Sequence, residues 1–254
     1  MKTAVTTLGI AVALTACGGG GGGGGDNSSP APATSAEGMY HGTTSNNRQI
    51  DAFVLDDGSY YVMYSVSGHN EMPGGVVVGS GTSKSGSFSS DNARDFNLEG
   101  LGIVPGNVSA SYTQKKSLNG TIAYTNGTGS ATFTGNYDAD YEKAPALTSI
   151  AGSYSGFFVA SFGQGGSLAP VSLTLAGGGA ANFSGVLCSS TGTVATRARG
   201  NVYNVTATFA GADCALAGQS LSGMAYFNST DRSLRGMLTT SDRKTGYLFD
   251  VVKK

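Results

Sequence analysis

Alternation of apolar and polar residues with a period of two runs through most of this chain and limits what it can fold into. Val171, Leu173 and Leu175 alternate with Ser172 and Thr174, and Tyr203, Val205, Ala207 and Phe209 alternate with Asn204, Thr206 and Thr208. Tyr247, Phe249 and Val251 form the last such face. Successive side chains of a strand point to opposite faces, so the pattern predicts half-buried antiparallel strands. No segment of period 3.6 follows residue 16. Asp56-Asp57-Gly58 is a strong tight-turn signal, and after it Tyr60, Val62, Tyr64 and Val66 alternate with Tyr61, Met63 and Ser65. Further strands are predicted at 39–44, 50–55, 76–79, 87–90, 108–113, 121–124 and 131–137. Met72-Pro73-Gly74-Gly75 is predicted to break the chain. Residues 91–106, with Arg94, Asp95 and Glu99, read as a long irregular connection. Antiparallel sets of about eight short strands favour small closed barrels, which leave no exposed edges.

The opening of the strand region recurs. Gly38-Met39-Tyr40-His41-Gly42 returns as Gly152-Ser153-Tyr154-Ser155-Gly156. Leu118-Asn119-Gly120-Thr121-Ile122-Ala123-Tyr124 has a looser counterpart in Leu221-Ser222-Gly223-Met224-Ala225-Tyr226. Two modules follow, at 38–142 and 148–254, with 143–147 as linker. The acidic stretch around Asp138, Asp140 and Glu142 lacks the glycine and the spacing of a calcium loop and reads as solvated.

Residues 1–16 combine Lys2 with a short apolar run, the pattern of a secretory signal too short to span a bilayer. The run ends in Leu14-Thr15-Ala16-Cys17, which resembles the lipobox of bacterial lipoproteins. The resemblance implies cleavage before Cys17 and acylation of Cys17, including attachment of palmitate-like chains. Each buried methylene adds about 0.8 kcal/mol, so two or three chains anchor stably. Gly18 stands where an inner-membrane retention signal would place Asp, which points to the outer membrane. Residues 17–37, with the glycine run 18–25 and the Pro30-Ala31-Pro32 that follows, read as a disordered tether. Such a chain of about twenty residues has a typical end-to-end distance near 25 Å.

Composition fits an extracytoplasmic all-β protein: 41 glycines, no tryptophan and only 12% charged residues. Removing residues 1–16 takes away Lys2 alone, so 15 basic and 16 acidic residues become 14 and 16. A nearly neutral chain argues against nucleic acid, which needs clustered Lys and Arg. Besides Cys17 there are two cysteines, Cys188 and Cys214. In an oxidising compartment an even pair predicts a disulfide, with free buried thiols and a metal pair as alternatives. No second Cys or His pair lies near them to complete a metal site.

Candidate chemistry is sparse. His41 and His69 are the two histidines, and Ser155 is the repeat counterpart of His41. No Gly-x-Ser-x-Gly elbow occurs. Asp56-Asp57 is the most conspicuous carboxylate pair and is explained by its turn. Arg197 and Arg199 share a strand face and read as a grip for an anion or as a solvated strand end. Tyr60, Tyr61 and Tyr64 form an aromatic cluster that reads as barrel packing or as a binding surface. The expectation is therefore all-β: two consecutive antiparallel barrels of about eight strands after a glycine-rich tether, with no catalytic residues, no cofactor and no metal.

Two barrels on a lipid-anchored tether resemble surface lipoproteins of the factor H-binding and transferrin-binding type. The resemblance implies a non-catalytic module at the outer membrane that binds a protein or glycan, on the cell surface or the periplasmic face. The alternative is a periplasmic carrier holding a small apolar ligand inside one barrel.

Overall fold

In a computed structural model the described residues are 35–161, 168–186 and 188–254, and residues 33–254 form one compact unit. The leader, Cys17 and most of the tether lie outside the described residues. The first module contains nine strands: β1 (Gly38–Thr44), β2 (Gln49–Val54), β3 (Ser59–Val66), β4 (His69–Ser80), β5 (Thr82–Lys84), β6 (Ser87–Asn97), β7 (Gly102–Thr113), β8 (Ser117–Tyr124) and β9 (Ser130–Tyr137). β1 pairs with β9 at one end of the sheet. At the other, Gly75–Val78 of β4 pair with Asn97–Arg94 of β6. Eight antiparallel strands thus close a barrel, and the short β5 extends its β6 edge.

The second module is a closed antiparallel barrel of eight strands: β10 (Gly152–Ser161), β11 (Leu168–Leu175), β12 (Ala180–Gly185), β13 (Ser189–Thr196), β14 (Tyr203–Ala210), β15 (Ser220–Asn228), β16 (Ser233–Thr239) and β17 (Gly246–Lys253). β14 follows its sequence pattern residue by residue, with Tyr203, Val205, Ala207 and Phe209 buried inside. The interior is filled by stacked and edge-on rings, Phe158 on Tyr247 at 4.9 Å and Phe183 on Phe249 at 5.2 Å. Cys188 and Cys214 are joined as a disulfide.

The Gly-x-Tyr-x-Gly openings occupy equivalent places at the start of β1 and β10, and the same physics explains both. Tyr40 is buried and its hydroxyl donates to the carbonyl of Ala36 at 2.8 Å; Tyr154 donates likewise to Ile150. A Cβ on Gly42 would lie 1.7 Å from the Thr134 carbonyl oxygen, and one on Gly156 2.2 Å from that of Asp250. Only glycine lets the closing strands approach so closely. The second repeat does not map. β8 is the seventh strand of its barrel and β15 the sixth, so their likeness reflects a shared need for glycine at a close strand contact.

Two expected breaks are strands. Met72-Pro73-Gly74-Gly75 lies within β4, where the β3–β4 register shifts beside Ser65 and absorbs the proline as an irregularity. The supposed connection 91–106 is the second half of β6, a four-residue turn and the start of β7. The acidic stretch forms a 3-10 turn, Ala139–Glu142, with Tyr141 buried, so it is packed where a solvated stretch was expected. Order also begins ahead of residue 38: Ala36 is buried and its N–H donates to Ser83 Oγ at 3.0 Å.

The two barrels share an apolar interface. Met39, Phe53 and Leu55 pack with Val202, Met224 and Tyr226, and Val76, Val78 and Phe96 with Met237 and Leu248. The ring of Phe53 lies 5.3 Å from that of Tyr226. Outward residues of β2, β4 and β6 are therefore buried against outward residues of β15–β17. Charges rim the contact. Arg197, largely buried, reaches Asp56 and, at 3.2 Å, Asp57; Arg199 Nε donates to Glu37 at 3.0 Å. The two arginines thus grip the partner barrel's own carboxylates, and the Asp56-Asp57 pair serves the same contact.

Candidate functional site

The open end of barrel 1 holds a candidate site that combines apolar walls with buried polar groups. Inward positions of successive strands line a cavity of about 210 Å³: Ile50, Val62, Val77, Val104, Ile122 and Phe133 make apolar walls, and Tyr64, Asp95, Asn97 and Tyr124 add polar groups. Arg48, Thr44, Asn46, Leu101, Thr128, Ser130 and Ala131 complete the lining. Leu101, at the rim, is 61% exposed.

Asp95 organises the polar groups. It is 2% exposed, and its two carboxylate oxygens accept from the Tyr64 and Tyr124 hydroxyls, each at 2.7 Å. Asn97 Nδ2 donates to the Tyr64 hydroxyl at 3.1 Å. Burial raises the Asp95 pKa, partly offset by the two phenolic hydrogen bonds and by the Arg48 charge. Tyr64 and Tyr124 are pushed upward by the same loss of water and by the neighbouring carboxylate. Arg48 lies over the Tyr64 ring, 5.3 Å from its centroid, donates to the Ser65 carbonyl at 2.9 Å and pairs with Glu99 at 2.5 Å.

Glycine makes this arrangement possible. Tyr64 sits opposite Gly75, and Tyr60 opposite Gly79. A Cβ at Gly75 would come within 2.3 Å of the Tyr64 hydroxyl, and one at Gly79 within 2.2 Å of the Tyr60 hydroxyl. The rings lie across the bare glycines of β4 and send their hydroxyls onward to β6, where Tyr60 meets Ser90 at 3.0 Å.

This placement revises the tyrosine cluster. Tyr60 and Tyr64 point into barrel 1 and are buried, so they present no outer binding surface. Tyr61 points outward but is half-buried in the contact with barrel 2. Alternation along β3 put Tyr60 and Tyr64 on the inward face from the start. Tyr64 reaches a candidate site all the same, through its hydroxyl at the cavity floor.

Sequence reasoning missed Asp95 because the usual signal is inverted at the end of β6. There the inward residues are Ala93, Asp95 and Asn97, while the outward Phe96 is apolar and meets barrel 2. A strand with polar inside and apolar outside does not look half-buried. The histidines lie elsewhere. His41 Nδ1 donates to Asp51 at 2.6 Å and its Nε2 to Asp138 at 2.8 Å, an arrangement that needs both ring protons. The Asp51 hydrogen bond is the largest cause of its raised pKa, opposed by desolvation and aided by Asp138. His69 is exposed at the start of β4, 3.5 Å from Glu71. No group of three or more His, Cys, Asp or Glu among the described residues is arranged to hold a metal.

No protein-family model matches the chain, and no curated protein matches it in sequence. Several solved structures are similar at low identity. The isotype 1 transferrin binding protein B from serogroup B Neisseria meningitidis is 8% identical over 78% of this chain and 66% of its own, with a TM-score of 0.31. Intact Ap-TbpB, with N and C lobes, is 9% identical over 82% and 67%, with a TM-score of 0.30. A protein of unknown function from Nostoc punctiforme is 12% identical over 86% and 94%, with a TM-score of 0.32. The chain spans about two thirds of the length of the two transferrin-binding structures. The observed architecture is all-β with two closed eight-stranded barrels.

Proposed function

We propose that this chain is a non-catalytic binding protein, anchored in the outer membrane through acylated Cys17, that engages a protein or glycan partner at the open end of barrel 1. One observation carries the reading: two barrels of one chain are built to the same strand count, and they differ inside. The described residues of barrel 2 fill its interior with interlocked rings, whereas barrel 1 keeps an open cavity with apolar walls and a few convergent polar groups, the usual composition of a binding site. The apolar interface holds barrel 1 against barrel 2, so the mouth is presented on a rigid support.

The cavity bears on the carrier alternative as well. At about 210 Å³ it falls below the roughly 300–1,000 Å³ of pockets that enclose drug-sized ligands. A buried carboxylate at its floor also suits a group with hydrogen-bond donors better than a wholly apolar cargo. The mouth fits a side chain or a small polar-headed molecule.

A photo-crosslinking residue in place of Leu101, at the rim, tests the reading in intact cells. A discrete adduct is expected there and not with the same residue in place of Val252, which is exposed on barrel 2. No adduct at 101, or the same adduct at both positions, would remove the mouth of barrel 1 as the binding site. Anchoring is tested separately: Cys17→Ser is expected to abolish incorporation of labelled fatty acid, and wild-type labelling of that variant would refute acylation at Cys17.

A further inference from the structure

Of the buried polar side chains described, Asp95 alone carries a charge; those in barrel 2 are serines. Closing a barrel of this size therefore does not call for a buried carboxylate. A carboxylate has about four acceptor positions, and the two phenols occupy two of them. Asp95 takes part in no ion pair among the described residues. The cation nearest the site, Arg48, is held by Glu99 and the Ser65 carbonyl. Arg48 is thus answered by Glu99, which lies outside the cavity lining, and the Asp95 carboxylate is the one acidic group of the lining.

We propose that the open end of barrel 1 binds a primary ammonium group carried on a short apolar stem, with Asp95 as its counter-ion. The proposal rests on the reading of this mouth as a binding site and deepens it by naming the ligand's chemistry. Asp95 supplies the charge and free acceptor positions, and N⁺–H···O⁻ hydrogen bonds are the strong ones in a low-dielectric site. Tyr124 and Phe133 line the same cavity with aromatic rings, whose faces attract cations. Ile50, Val62 and Ile122 offer the stem an apolar wall. The limited volume keeps that stem short. An anion would meet the Asp95 carboxylate, and a neutral alkane would leave that carboxylate unanswered. The same chemistry can come from a free small amine or from a lysine side chain of a partner.

The test is an NMR titration of the full chain carrying Cys17→Ser, at fixed salt, with n-butylammonium, n-butanol and butyrate as probes. The ammonium is expected to shift resonances of residues lining barrel 1, and the alcohol and the carboxylate to leave them unmoved at equal concentration. Asp95→Asn is expected to weaken ammonium binding by about tenfold or more, as loss of a charge-assisted hydrogen bond implies. Should that variant lose folded signal, Leu101→Trp, at an exposed rim position, is expected to block the same shifts. Butyrate binding as well as butylammonium, or unchanged ammonium affinity in Asp95→Asn or Leu101→Trp, would overturn the proposal. Nα-acetyl-lysine methylamide identifies the source: tighter binding than butylammonium points to a protein's lysine, weaker binding to a free amine. An adduct at position 101 in cells together with no ammonium binding would sink this proposal and leave the binding reading intact. Loss of the adduct with ammonium binding intact would do the reverse.

Discussion

Phe53→Ala probes whether the two barrels stabilise one another. Phe53 is 1% exposed, although alternation along β2 points it out of its own barrel. What covers it is Tyr226, Met224 and Val202 of the second module. Truncating a buried phenylalanine costs about 3–5 kcal/mol, part of it from the cavity left behind. This site borders a seam between two barrels, which can shift together or admit water, so the lower end applies and about 3 kcal/mol is expected. For a folded unit of this size each kcal/mol lowers Tm by about 2–4 °C, giving a fall of about 6–12 °C. Urea unfolding followed by circular dichroism and tyrosine fluorescence measures it, since the chain has no tryptophan. The wild type is expected to unfold in one transition and Phe53→Ala to separate the barrels into two. Phe183→Ala, inside barrel 2, is the control: comparable loss without separation. A loss under about 1 kcal/mol for Phe53→Ala, with the single transition retained, would refute the claim that burial between barrels stabilises the molecule.

Gly42→Ala and Gly156→Ala each drive a Cβ into a backbone carbonyl and are expected to cost about 3 kcal/mol or more, whereas Gly177→Ala, with open space around it, stays within about 0.5 kcal/mol; denaturant melts of the three decide. Removing the disulfide with Cys188→Ser and Cys214→Ser together is expected to lose about 3.5 kcal/mol, from the entropy of a loop closed across 26 residues. In the unmutated protein, intact mass should show no alkylation of either thiol without reductant. His41 has a folded-state pKa above its unfolded value, so its contribution is fully present below the unfolded pKa of about 6.5 and fades as pH rises through the folded pKa. The Tm difference between wild type and His41→Asn should accordingly shrink with rising pH, and a difference that grows instead would contradict the paired imidazolium.

Much of the fold was legible from residue order. In β14 every inward residue is apolar and every outward one is polar or small, because water covers one face and the barrel interior the other. The glycine-tyrosine-glycine openings also carried their meaning locally, through close strand approach and a tyrosine that caps a nearby carbonyl. Where a strand is buried on both faces the period-two signal dissolves. Val76-Val77-Val78 and Tyr247-Leu248-Phe249 are continuous apolar runs because Val77, Tyr247 and Phe249 fill barrels while Val76, Val78 and Leu248 fill the seam. Such runs are the trace an interface leaves in sequence, though they do not name its partner.

What the sequence determined by itself was strand periodicity, the Asp56-Asp57-Gly58 turn and the barrel-sized count of strands, all of them properties of neighbours along the chain. Tertiary structure alone decided that Arg197 and Arg199 face carboxylates some 140 and 162 positions away, that the two barrels share one seam, and that Asp95 lies under two tyrosine hydroxyls. Each of these depends on which strands close against which. Closure places β4 beside β6 and thereby brings Tyr64, Asp95 and Asn97 to one floor, and no local pattern records that pairing.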